Sequence, residues 1–166
     1  MTMSFDNRDK GESKGKPPVD PKDAQLIFDV MYSEFGPTLE ERREILRSRF
    51  GDAPIPHVII DAGLALAQDD AFRAHMTQQL AELRGAEMLP WVEQFLRSPH
   101  LNEAGEAAIA LLYIDEPRAL SEMEHLYKKY LGRDRETGFY LGNFLFLLRE
   151  HGTPQSMALI DELKNL

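Results

Sequence analysis

From Asp20 onward, apolar residues return every three or four positions, the spacing of an amphipathic helix. Asp20 is placed to cap a helix with Pro21 at its first position, and Leu26, Ile27, Val30, Met31 and Phe35 form its stripe. Gly36-Pro37 ends it. Thr38 and Glu41 have capping-box spacing for a second helix. Its inner face reads Leu39, Ile45, Leu46 and Phe50 before Gly51 stops it. Ile55 to Ala67 is apolar nearly all round. His57-Val58-Ile59-Ile60 would suit a buried strand on period alone, but no second strand is on offer to pair its backbone, so a helix is expected. Asp69 then starts a helix with Phe72, Met76, Leu80 and Leu83 inward, closed by Gly85.

The second half continues in the same way. Pro90 sits in the first turn of a short helix carrying Trp91, Val92, Phe95 and Leu96, and Ser98-Pro99 ends it. Asn102 is expected to cap a helix containing Gly105 to Leu112. Glu116-Pro117 opens a partner with Leu120, Met123, Leu126, Tyr127 and Tyr130. After a loop from Gly132 to Glu136, Gly138 to Leu148 is again apolar on most sides, and Thr153-Pro154 opens a last helix to Leu163. The expected fold class is all-α: about nine helices stacked as hairpins in an α-α superhelix, with no convincing strand. Residues 1–20 hold only Phe5 and Val19 as sizeable apolar residues beyond two Met, too few to offset the entropy of ordering. The expected organisation is therefore a disordered tail over 1–20 and one helical, repeat-like domain over 21–166.

An internal echo refines this. Gly105 and Pro117 have the same separation as Gly142 and Pro154, at an offset of 37. The overlay sets Leu111 on Leu148, Leu120 on Met157, Met123 on Ile160 and Leu126 on Leu163. Such a period, filled by two helices and a turn, marks stacked helical hairpins. The helices around Leu64, Ile109 and Leu145 are apolar on most faces and are expected inside, with their one-sided partners outside. Gly63, Gly105 and Gly142 lie one in each inner helix. Glycine there costs about 1 kcal/mol against alanine, so each is expected to mark a close helix approach. These residues resemble HEAT- and armadillo-type helical repeats. The resemblance covers Asn102 to Leu166 and extends to Ile55–Gly85, while the first two helices depart from it. It implies a protein-binding scaffold; it does not name a partner.

Charge narrows the partner. The net charge is −9, and the basic and acidic residues of 1–20 cancel, so the body carries all of it. An acidic body repels phosphate backbones and attracts basic proteins, so nucleic acid is not expected as a partner. No apolar run is long enough for a membrane span, no secretory h-region is present, and a cytoplasmic location is expected. The absence of cysteine removes disulfides, thiolate nucleophiles and cysteine-based zinc sites.

No catalytic signature appears, and no metal or cofactor is expected. His57 and Asp61 share a helix face, but no third or fourth ligand has matching spacing. Asp69 and Asp70 suit a cap and a first-turn charge. His75, His100, His125 and His151 are scattered, and none adjoins a serine in a nucleophile elbow. Lys128, Lys129, Arg133 and Arg135, with Tyr127 and Tyr130, form a basic cluster that Asp134 and Glu136 are expected to balance. Glu40–Arg43 and Glu44–Arg47 read as salt-bridged pairs on an outer face. Phe139, Tyr140, Phe144 and Phe146 point in several directions from one helix, so at least one faces a neighbour or a partner.

Two functional readings follow. The first is a non-enzymatic module that binds a basic protein, such as a cytosolic bacterial inhibitor or immunity-type protein. Trp91, Tyr127, Tyr130, Phe139 and Tyr140 are its candidate partner-binding residues. The second is a small-molecule enzyme or ligand-binding protein with an interhelical pocket near His57 and Asp61, with Trp91 as a further candidate.

Overall fold

The computed structural model describes residues 19–32 and 36–166. Phe35 and all but the end of the expected tail lie outside the described residues. Within them the regular elements are α1 (Pro21–Tyr32), α2 (Leu39–Phe50), α3 (His57–Ala65) and α4 (Asp70–Arg84). A 3-10 turn (Gly85–Met88) leads to α5 (Leu89–Leu96) and α6 (Leu101–Leu111). Then come α7 (Glu116–Tyr130), α8 (Arg135–His151) and α9 (Pro154–Lys164). The protein is all-α, and among the described residues there is no strand. No helix there is long and apolar enough to cross a membrane.

Local chemistry sets the helix starts. Glu41 N donates to Thr38 Oγ1 (3.2 Å) and Thr38 N to Glu41 Oε2 (2.7 Å), closing the capping box. Asp69 accepts from Phe72 N at 2.8 Å, and Thr153 from Ser156 N at 3.1 Å. Three boundaries differ from expectation. α3 begins at His57 because Pro56 holds an extended ψ and restricts Ile55 before it. α6 begins at Leu101, so Asn102 falls inside its first turn and accepts from Glu103 N (3.0 Å). α8 begins at Arg135 because Asp134, which also feels the Arg133 charge, caps it through Thr137 N (2.8 Å) and Thr137 Oγ1 (3.0 Å). Those bonds, the backbone one foremost, hold the Asp134 carboxyl below its usual range.

Packing corrects the expected layering. α4, expected outside, is central: Met76, Thr77, Leu80 and Ala81 are fully buried. α4 packs closely against the alanine-rich α6. α3 packs on α1 and α4 and does not reach α6. The row α3–α6–α8 therefore holds only at its α6–α8 step, because α1 covers the apolar face of α3. In the second half, α6 meets α8, α7 meets α9, and each helix meets its hairpin partner. The overlaid pairs Leu111/Leu148, Met123/Ile160 and Leu126/Leu163 are all buried, while Leu120 is half-buried and Met157 exposed.

Two of the three inner-helix glycines mark close approaches. A Cβ on Gly63 would stand 2.5 Å from Ile27 Cγ2, and one on Gly105 would stand 2.5 Å from the Tyr140 ring. Gly142 breaks the expectation: nothing lies within 4 Å of a Cβ built there. Charged pairs tie elements together. Asp23, buried in α1, accepts from Arg49 Nε (2.7 Å) and Nη2 (2.8 Å) of α2. Arg84 binds Glu87 (2.6 Å) and the carbonyls of Gly51 (3.1 Å) and Ala53 (2.7 Å), fixing the approach to α3. Arg118 of α7 grips Glu93 of α5 through both carboxylate oxygens, which lowers the Glu93 pKa.

Candidate functional site: a cleft between α4, α6 and α8

The interface of α4 and α6 opens on one side into a cleft of 260 Å³, bounded by α8. α4 supplies His75 and Gln78, α6 supplies Glu106 and Ile109, and α8 supplies Tyr140, Asn143, Phe146 and Leu147. Gly105 makes the cleft possible. With no side chain there, the Tyr140 ring lies against α6, and its hydroxyl donates to the Asn102 carbonyl (3.2 Å). Phe144, fully buried, backs the Tyr140 ring edge-on at 5.6 Å between centroids.

The polar groups form a short chain. His75 Nδ1 stands 3.5 Å from Glu106 Oε2, and His75 Nε2 stands 3.1 Å from Gln79 Nε2. The hydrogen bond to Glu106 raises the His75 pKa; burial opposes it, and the carboxylate charge adds to it. Burial, and then the same carboxylate, push the Tyr140 phenol far up, so it stays neutral. Glu106 is the charge that bears on both groups. Each His75 ring nitrogen thus has a neighbour on a helix of the cleft, Gln79 on α4 and Glu106 on α6. The volume also falls below the range of about 300–1,000 Å³ usual for drug-sized ligands and cofactors. It suits one side chain.

Beside the cleft, α8 turns an apolar face outward. Phe139 is 68% and Phe146 59% exposed, seven residues apart and so on one side of the helix. Gly142 and Asn143 lie between them, exposed, and Gly142 leaves an open dip. Arg135 sits over the Phe139 ring at 5.5 Å.

The five aromatics singled out from the sequence do not gather into one patch. Trp91 and Tyr127 are core residues and offer no surface anchor. Tyr130 is half-buried, donates to the Pro99 carbonyl (3.1 Å) and lies under Arg133 (4.7 Å) and Lys129 (5.3 Å). Phe139 and Tyr140 stand at the α8 face and the cleft. The basic cluster around Tyr130 is thus engaged within the fold, with Lys128 paired to Glu124 (2.7 Å).

The structure does bring His57, Asp61 and Trp91 together. Trp91 Nε1 donates to Asp61 Oδ1 (2.7 Å), and the His57 ring meets the Trp91 ring edge-on at 4.7 Å. The contact satisfies a buried indole N–H, as burial demands. Among the described residues no three His, Asp or Glu side chains cluster as metal ligands would. His151, in the last turn of α8, reaches across to Glu116 of α7 (2.6 Å).

Sequence reasoning missed His75, Gln78 and Glu106. The available signal was Glu106 next to Gly105, because a glycine inside an apolar helix marks the point where another element closes in. Other hollows lie elsewhere among the described residues, two of them larger. One, of 740 Å³, is a shallow trough along α2. The other, of 460 Å³, is walled by Phe28, Tyr32, Leu66 and Phe72. No protein-family model, curated protein or solved structure matches the chain.

Proposed function

We propose that this protein is a non-enzymatic helical-repeat module of the HEAT/armadillo kind that docks a basic protein segment on α8 and its adjoining cleft. One observation carries the reading: Phe139 and Phe146 project from a single helix face, flanking an open glycine, beside a cleft lined by the Glu106 carboxylate. Exposed aromatics around a recess are the usual anchors of a protein interface. The net charge of −9 would speed encounter with a cationic partner and make it salt-sensitive. A cytoplasmic inhibitor of a cationic protein is the role this chemistry suits best.

The test compares capture by the wild-type chain and by F139D/F146D, at low and high salt, with helicity followed by circular dichroism. The reading expects a basic partner that the wild type holds at low salt and the double variant releases at unchanged helicity. Equal capture by both chains, or no partner at low salt, would contradict it.

A further inference from the structure

We propose that the cleft between α4, α6 and α8 receives the guanidinium of an arginine from the docked segment; this rests on the docking face proposed above. Glu106 is the acceptor. Its one partner among the described residues is His75 Nδ1, at 3.5 Å. Charge-assisted bonds run at about 2.7–2.9 Å, so this contact leaves most of the carboxylate's acceptor capacity unused. No lysine or arginine lines the cleft to compete for it.

The walls favour a planar cation. Tyr140 and Phe146 are among its lining residues, and aromatic rings attract a guanidinium, which can also stack on them. Tyr140 is preorganised: its hydroxyl is tied to Asn102 and its ring rests on Gly105, so little ordering remains to be done on binding. Gln78 and Asn143 add amide groups at the wall. The cleft volume of 260 Å³ admits a side chain while excluding a nucleotide or a larger cofactor.

The experiment titrates the full chain with N-acetyl-arginine amide and follows the His75 and Phe146 ring signals by NMR. N-acetyl-norleucine amide serves as the uncharged control. The proposal expects a saturable movement with the arginine probe, none with norleucine, and binding about tenfold weaker in E106Q. F146A, a change on the exposed face, should weaken it about two- to fivefold and keeps the test open should E106Q unfold. No saturable movement in the wild type, or an equal one with norleucine or in both variants, would overturn it. A protein partner that binds E106Q as well as the wild type, yet is lost by F139D/F146D, would remove the arginine subsite and leave the docking face standing.

Discussion

Thr153 Oγ1 donates to Glu116 Oε1 at 3.0 Å, across a separation of 37 residues. That is the offset of the internal echo, so these are equivalent positions of two successive hairpins in direct contact. Glu116 uses its other oxygen for His151 Nε2 at 2.6 Å. One carboxylate therefore joins the start of α7 to the turn between α8 and α9. Replacing it with alanine removes both contacts and leaves two half-buried polar groups without an acceptor. E116A should lose about 1–3 kcal/mol in urea denaturation. T153A loses the same bond and also its cap on Ser156 N, for about 1 kcal/mol. Because the bond is shared, the double variant should cost less than the two singles together.

Glycine substitutions should differ in sign. G63A sets a methyl 2.5 Å from Ile27 Cγ2 and forces α1 from α3, an overpacking cost of about 1–3 kcal/mol. G142A meets nothing within 4 Å and gains helix propensity, so it should stabilise by about 0.5–1 kcal/mol. Thermal melts of the two variants decide the matter. Equal effects would mean that the α1–α3 contact is looser than described.

The Arg49–Asp23 pair should respond to shape as well as charge. Asp23 is buried and accepts two parallel bonds from one guanidinium. R49K keeps the charge but not the fork and should cost about 1 kcal/mol; R49M strands the carboxylate and should cost about 2 kcal/mol or more. Denaturant midpoints for the two variants provide the check.

His75 predicts a pH signature. Its pKa in the fold lies above its ordinary value of 6.5, chiefly through the hydrogen bond to Glu106. A raised value means that the native state holds the proton more tightly than the unfolded chain does. The stabilisation is complete below the ordinary value and is lost as pH rises through the folded one. E106Q removes it. The wild type should therefore exceed E106Q in denaturation midpoint at about pH 5.5, and the gap should narrow by about pH 8. A gap that is constant, or that widens with pH, would assign the pair another role.

What could be read from the sequence was local. The caps at Thr38, Asp69 and Thr153 depend on residues three positions apart, and each appears in place. The all-α class followed from a period maintained along the chain. The burial of α4 did not, because its stripe of Phe72, Met76 and Leu80 reads as one-sided. What buries its remaining faces is the packing of α6 against it, a relation between distant segments. The cleft was hidden for the same reason. His75, Glu106 and Tyr140 come from three helices, and no spacing along the chain relates them. Trp91 and Tyr127 seemed available as anchors only because composition cannot tell a buried aromatic from an exposed one.

The most direct measurement of the central claim is site-specific photo-crosslinking. A photoreactive residue at Asn143, between the two exposed phenylalanines, is compared with one at Gln94, which is also exposed but lies on α5. The account predicts a salt-sensitive adduct with a basic protein from Asn143, suppressed by excess arginine peptide, and none from Gln94. Adducts of equal yield from both positions, or none from Asn143 while a partner is bound, would contradict it.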